Sequence, residues 1–577
     1  MWYRNEDKLF SRKARDGILR EMLFGFCILI FYMYRTCKQC QSNFEITELD
    51  QSFYQKIDVP APTLCPSCRM QRRLTFRNER SIYYRNCDLC KKNFLSVYHP
   101  ESPYKVYCPK CFYSDNWDQF EAGRDYDASK SFFDQYKDLV LQAPKLGNLE
   151  SNSVNSEFTN HTADLKDCYL IFAATQSEKC MYGNYINDSK DVIDGLGVRK
   201  SELVYEGVDI QDCYNLLYSE LCSNCSDSAF LYNCRNCQSC FLCSNLRQKK
   251  YCILNTEYPK EEFERKMKEL FDGSYSKLLE AIAHFEQLKL NTPRLFMQGS
   301  NNENVTGNLL HNCKNCFESF DLQNSEDCSH MWYGSDAKDS KDCYAVYPHT
   351  ELAYESLAIS GFGSRFSYCA WHGTSVEYSL LTLQCKNCFG CTNLHNAEYT
   401  ILNKKYSKDE YFPLRKKIID DMKDRGEYGE FFPISLSPYA YNETLANEYF
   451  PLSREEAKEK GLLWREKDIK EYAVKEYAFP ESIQETSDTI LQDILVCHSC
   501  EKNYKIMKLE LDFYRKMNVP IPKNCHDCRH RVRLQQRNPR KIWERQCQKC
   551  SEKIKTSYSP ERLEIIYCEK CYLDEVY

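Results

Sequence analysis

The chain has 577 residues, a net charge of −6, 42% hydrophobic residues and a mean hydropathy of −0.64. That length accommodates about three to five domains, the hydropathy argues against a membrane-embedded protein, and the near-neutral charge names no partner while concealing local basic stretches. Cysteine is the outlier at 35, and in a large chain without a clear export signal, C-x-x-C pairs read as thiolates of a reducing cytoplasm rather than as a disulfide framework.

Met22 to Tyr34 is an apolar run, shorter than the ~20 residues of a spanning helix. A basic stretch precedes it, but no small-residue cleavage site follows, so no membrane anchor is expected. Met33 stands just before the first cysteine pair, and residues 1–33 read as an extension upstream of a start at that methionine.

Residues 34–127 form a first module with four C-x-x-C pairs: Cys37 and Cys40, Cys65 and Cys68, Cys87 and Cys90, Cys108 and Cys111. Residues 491–577 repeat the array displaced by 460: Cys497 and Cys500, Cys525 and Cys528, Cys547 and Cys550, Cys568 and Cys571. Two residues between thiolates let one turn aim both sulfurs at one ion, and two such knuckles complete a tetrahedral zinc site. About four Zn²⁺ ions are therefore expected. Pairing of consecutive knuckles is the simpler reading, and cross-bracing is the alternative. Four thiolates leave no open coordination position, so the role is structural.

Between the knuckles of each module runs an arginine-rich stretch. Arg69, Arg72, Arg73, Arg77, Arg80 and Arg85 lie with Tyr83 in the first, and Arg529, Arg531, Arg533, Arg537, Arg540, Lys541 and Arg545 lie with Trp543 in the second. Guanidinium forks suit phosphates and aromatic faces suit unstacked bases, so these fifteen residues are the candidate nucleic-acid contacts, with RNA favoured over DNA. The alternatives are docking, onto the acidic middle of the same chain or onto a protein partner, and an arginine surface that merely solvates a metal-pinned domain.

The repeated motif Cys-x-x-Cys, Phe-Tyr, Pro-x-x-Cys-Pro-x-Cys-Arg, here Cys37 to Arg69 and more loosely Cys497 to Arg529 with His526 in place of the proline, resembles the bacterial "probable zinc-ribbon" domain. The wider layout is similar to large uncharacterised proteins of candidate-phyla bacteria, some labelled family III CoA-transferases. That label implies a catalytic Asp in a very different fold, and no sequence feature here supports it. The ribbon resemblance implies zinc binding and no assigned activity.

After a helical linker over 128–149, with a helix predicted from Ser131 to Leu141 and stopping before Pro144, the middle of the chain is also duplicated. Residues 150–257 and 298–405 share Cys168/Cys316, Cys180/Cys328 and the Cys237, Cys240, Cys243/Cys385, Cys388, Cys391 triplets at an offset of 148. Short aromatic or β-branched runs recur about every ten to fifteen residues, with polar corners between. The expected fold class is mainly β with small α+β zinc modules: a duplicated β-solenoid centre, right-handed and β-helix-like, flanked by two modules of zinc-ribbon or treble-clef type, with a β-sandwich as alternative. Cys234-x-x-Cys237-x-x-Cys240-x-x-Cys243 resembles an iron–sulfur ligand run but lacks its last spacing and the following proline. The central cysteines read as small apolar residues stacked inside the repeat, with additional zinc or an iron–sulfur cluster as the alternatives.

Helices are predicted at Lys260–Leu270, Ser276–Leu288 and Lys408–Met422, closing each copy within segments 258–297 and 406–490, and a capping box starts a short helix at Ser453. His311, His330, His349, His372 and His395 read as surface or loop residues, and Asp167, Asp191, Asp212 and Asp342 as turn residues. No catalytic constellation emerges. The functional expectation is a cytoplasmic, non-enzymatic, zinc-dependent nucleic-acid binder without membrane association; a protein-interaction scaffold is the alternative, and an enzyme on a β-helix comes third.

Overall fold

A computed structural model describes residues 33–466 and 477–577. The apolar run up to Tyr32 and part of the predicted linker, 467–476, lie outside the described residues. No helix among the described residues is long and apolar enough to cross a membrane. Strand outweighs helix, 35% against 24%, which agrees with the mainly-β expectation.

The middle of the chain forms two long parallel ladders. The first runs through eleven strands from Glu150–Ser151 to Thr256–Glu257, and the second through fourteen from Gly299–Ser300 to Lys404–Lys405. Each strand pairs in parallel with a strand close ahead in sequence, with partners such as Val192↔Val204, Tyr205↔Leu217 and Leu217↔Ala229 twelve residues apart. The chain thus returns alongside itself every twelve residues. Only the closing strand of each ladder is antiparallel.

The local conformation behind this period is unusual. From Asn152 to Leu254 every third residue has a positive φ near 50–60°, with glycine at Gly197 (φ 72°). Such residues normally cost about 1–2 kcal/mol each. None of those in either ladder is Val, Ile or Thr, the types that tolerate this region least, and Asn and Asp, which tolerate it best, are frequent. Asp167, Asp191, Asp212 and Asp342, read from sequence as turn residues, all occupy such positions, with φ from 50° to 56°, although Asp191 and Asp342 fall within strands. Four left-handed corners per twelve-residue period leave one inward residue per triplet. In the first ladder these are Cys168, Ile171, Ala174, Cys180, Val192, Val204 and their successors, a narrow core of small side chains.

This core accounts for the central cysteines. The Cys180 thiol donates to the carbonyls of Glu178 (3.3 Å) and Ser189 (3.7 Å), and the Cys243 thiol does the same to Phe241 (3.2 Å) and Cys252 (3.6 Å). Serine at equivalent places behaves alike, Ser177 donating to Thr175 and Ile186. Among the described residues, the four end clusters are the groups whose thiols converge as metal ligands, and the central cysteines are not among them.

The predicted helices form at Phe132–Gln142, Lys260–Leu270, Tyr275–Asn291, Lys408–Asp424 and Arg454–Glu459, the last started by a capping box at Ser453. The Tyr275–Asn291 helix packs on the first ladder through Leu278, Ala281 and Phe285. The two ladders meet at Tyr185 and Tyr333, whose rings are 4.5 Å apart. These residues are each other's counterparts at the offset of 148. A residue touching its own equivalent is the mark of an approximate twofold relation.

Candidate metal centres and the docked arginine runs

Each zinc site is built from a hairpin knuckle and the start of a helix. In the first module, Met33–Thr36 and Asn43–Ile46 form the hairpin, and Cys65 is the N-cap of the helix Pro66–Leu74. Cys108, Cys525 and Cys568 cap the corresponding helices of the other three sites. The residue after each knuckle is left-handed in all four: Gln41 (φ 60°), Lys91 (φ 61°), Glu501 (φ 60°) and Ser551 (φ 64°).

The thiols converge as Cys37, Cys40, Cys65, Cys68; as Cys87, Cys90, Cys108, Cys111; as Cys497, Cys500, Cys525, Cys528; and as Cys547, Cys550, Cys568, Cys571, with every Sγ within 4.8 Å of the others in its set. This is the sequential pairing. The Sγ–Sγ separations Cys40–Cys65 (3.7 Å), Cys90–Cys108 (3.9 Å), Cys500–Cys525 (3.7 Å) and Cys550–Cys568 (3.6 Å) match the roughly 3.8 Å edge of a tetrahedron with 2.3 Å Zn–S bonds. Burial opposes ionisation of Cys497 and Cys547, yet backbone N–H donors from the knuckle and the facing helix bring both thiols to about 6, and it is the thiolate that binds metal.

The arginine runs turn inward. Arg69 donates from Nε to Asp342 Oδ1 (3.1 Å), from Nη2 to Asp342 Oδ2 (2.7 Å) and from Nη1 to the Leu64 carbonyl (2.7 Å). Arg72 bridges Glu355 (3.0 Å) and Glu430 (2.9 Å), and Arg73 lies 3.5 Å from both Asp342 and Glu355. Arg77 pairs with Glu79 at 2.6 Å beneath the Tyr344 ring. In the second module, Arg529 donates to Asp194 (2.8 Å) and to the Asn524 carbonyl (2.7 Å), and Arg533 pairs with Asp194 and Glu206, both at 2.8 Å. Arg537 pairs with Asp209, and Arg540 with Asp321. Arg69, Arg73, Arg77 and Arg533 are among the largest fully buried side chains of the molecule.

The expectation that these arginines present a phosphate-binding face therefore requires correction: burial and carboxylate partners, on the ladders for all but Arg77, whose partner is Glu79 of its own module, leave Arg69, Arg72, Arg73, Arg77, Arg529 and Arg533 facing the protein. Of the remaining predicted contacts, Arg80 reaches Asn184 (2.7 Å) and Asp527 (3.3 Å), and Arg85 reaches Asp88 (3.1 Å). Tyr83 is half-buried beside His99 at 4.9 Å, and Arg545 donates to the Ser559 carbonyl at 3.1 Å. Arg531 is exposed and donates to Cys528 Sγ at 2.9 Å, while Lys541 sits over the half-buried Trp543 ring at 5.2 Å.

The docking is crossed and repeated. The N-terminal module seats on the second ladder and the C-terminal module on the first. Arg69 with Asp342 and the Leu64 carbonyl matches Arg529 with Asp194 and the Asn524 carbonyl; Tyr54 against Tyr354 at 5.5 Å matches Tyr514 against Tyr205 at 5.5 Å. The sequence reading gave docking onto the acidic middle as an alternative without naming the carboxylates that receive the arginines. Their signal was the recurrence of Asp194 as Asp342 at the offset of 148.

A further pair fastens the first module. Asp50 caps its own helix through Thr47 and meets Lys341 Nζ at 2.5 Å. Burial pushes the Asp50 carboxyl up, but the Lys341 ammonium outweighs it and brings the pKa to about 2. A folded value below the unfolded one contributes stability that is present above about pH 4 and is lost as pH falls through about 2. Asp50→Asn is expected to cost about 2 kcal/mol at neutral pH and to flatten this acid limb. Urea midpoints of both proteins across the window check it; parallel pH profiles would show that the pair contributes nothing.

A family model described as "Probable treble clef domain" matches residues 33–76, the first knuckle, its two helices and the first buried arginines. No curated protein matches the chain. The protein is accordingly a metal-binding one with treble-clef zinc domains, and its four tetracysteine sites are consistent with about four Zn²⁺ ions.

Proposed function

We propose that the protein is a non-enzymatic, zinc-dependent scaffold for a protein partner, in which each ladder winds as a right-handed β-helix-like solenoid clamped by the zinc module from the opposite end of the chain. The twelve-residue return of the chain supports the solenoid. The observation that carries the function is the internal engagement of the arginines, since a phosphate would have to break buried, carboxylate-paired guanidinium groups to reach them. Four thiolates per metal leave no position for a reacting group.

The partner's seat is the cleft of about 1220 Å³ between the modules and the ladders. Its wall carries the carboxylates of Asp209, Glu220, Glu318, Asp321, Glu448 and Glu561 against the basic groups of Arg294, Arg537, Arg540 and Lys541. That balance disfavours a polyanion, whose binding rests on an excess of cations. It suits an extended protein segment with basic residues and apolar anchors placed against Phe320, Trp332, Phe450 and Trp543. RNA binding is the second reading, and the juxtaposition of Lys541 and Trp543 on this wall favours it.

The two are separated by titrating a panel of basic, aromatic-containing peptides and labelled single-stranded RNA into reduced, zinc-replete protein. Peptide binding that weakens at least tenfold in Trp543→Ala and in Glu318→Lys is the expected result. Salt-steep RNA binding abolished by Lys541→Glu, without peptide binding, would replace the scaffold reading with the second.

A further inference from the structure

A second cavity, of 390 Å³, lies at the seam where the two ladders face one another. It is independent of the large cleft's proposed role. One wall is a register column of the first ladder: Arg199 pairs with Gln211, Gln211 with Ser223 and Ser223 with Arg235. The other wall is a column of the second ladder, in which Ser300 pairs with His311 and His311 with Gln323. At a strand spacing of roughly 4.8 Å, the two guanidinium stems are about 14 Å apart along the groove.

The charges of this seam do not balance. Its two carboxylates, Asp209 and Asp321, are already engaged by Arg537 and Arg540. Arg199 and Arg235 are half-buried and line the cavity, and among the described residues neither has a carboxylate within ion-pair distance. The fully buried Arg69, Arg73, Arg77 and Arg533 are each paired with a carboxylate, whereas Arg199 and Arg235 stand on one cavity wall without one. His311 shares a 2.9 Å hydrogen bond with Ser300 Oγ, and burial, followed by the two guanidinium groups, holds its pKa below the ordinary value. Its imidazole therefore adds a neutral donor or acceptor.

We propose that this seam binds a small sugar bearing an anionic group, a phosphate or a carboxylate. The unpaired guanidinium groups supply charge-assisted, forked donors for the anion. The side-chain amides and hydroxyls of Gln211, Ser223, Ser300 and Gln323 offer both donors and acceptors, which suits a ring of hydroxyl groups better than an apolar body. The half-buried Tyr333, backed by the buried Tyr185, provides an aromatic surface for the C–H face of such a ring. The volume falls within the ordinary range for small-ligand sites.

The test is calorimetric titration of glucose 6-phosphate, glucuronate, glucose and inorganic phosphate into the full-length, zinc-replete protein. At least one charged sugar is expected to saturate the site, with glucose and inorganic phosphate each at least tenfold weaker. Arg199→Gln and Arg235→Gln should each weaken it by about 10- to 100-fold, with the melting temperature little changed because, among the described residues, neither guanidinium group makes a hydrogen bond or ion pair. The proposal is overturned by absence of saturation up to about 10 mM, by equal binding in both variants, or by inorganic phosphate binding as tightly as its sugar ester.

Discussion

Stripping zinc from the reduced protein is expected to unfold both ends of the molecule together. In zinc-finger peptides a structural site contributes about 10–16 kcal/mol of apparent binding energy that is also folding energy, and here little else could replace it. The core of the last site consists of Cys547, Ile554, Tyr558, Ile566, Cys568 and Cys571, so half of its buried members are metal ligands. The damage should spread inward, because Phe53 and Tyr54 share one apolar cluster with Tyr354 of the second ladder, and Phe513 and Tyr514 share another with Tyr205 of the first. Undocking uncovers those aromatic faces, and exposed contiguous apolar surface promotes association. The measurement is chelator-driven release of about four equivalents of zinc, followed with near-ultraviolet circular dichroism and light scattering. Full release with an unchanged tertiary signal would show that the sites do not hold the modules.

Arg69→Ala is expected to destabilise the protein by about 3–5 kcal/mol, the usual penalty for leaving one charge of a buried pair uncompensated. The orphaned group would be Asp342, fully buried and otherwise 3.5 Å from Arg73. Arg529→Ala should cost a similar amount through Asp194, and because the two arginines share no partner the effects should add. The informative control is the double replacement Arg69→Met with Asp342→Leu, which removes both charges and should recover most of the loss. Denaturant unfolding of the parent, the two alanine variants, their combination and the double replacement decides the matter. An Arg69→Ala protein as stable as its parent would mean that the arginine is accessible to solvent and free to meet another partner.

Much of the candidate metal chemistry could be read directly from the chain, because a C-x-x-C knuckle is a local object and its spacing carries the geometry. The duplication of both the modules and the middle was equally plain at fixed offsets. The helices were placed within a few residues, since caps such as Ser453 and stops such as Gly461 (φ 68°) are local signals. The direction of the arginines was not legible. A basic stretch on a helix looks the same facing solvent or facing Asp342, and the partner lies 273 residues away. The triplet rhythm was also obscured. Its corner residues include Tyr182, Leu203, Phe230 and Asn245, so the signal is the exclusion of β-branched side chains at every third place, which an eye trained on strand alternation passes over. A register shift between Val346 and Thr350 further breaks the phase in the second ladder.

The crossed seating of the modules makes the order of synthesis matter. Asp342, which receives Arg69, is translated 273 residues after it. At roughly 5–20 residues per second, the ribosome delivers it about 14–55 s later. For most of that interval the N-terminal zinc module is complete but has no seat, its arginines in water beside the polyanionic ribosome. The C-terminal module emerges to find Asp194 and Glu206 already displayed. Two ends that are near copies in the finished molecule thus begin unequally: the first must wait and is the one a chaperone would shield, and the second closes the structure.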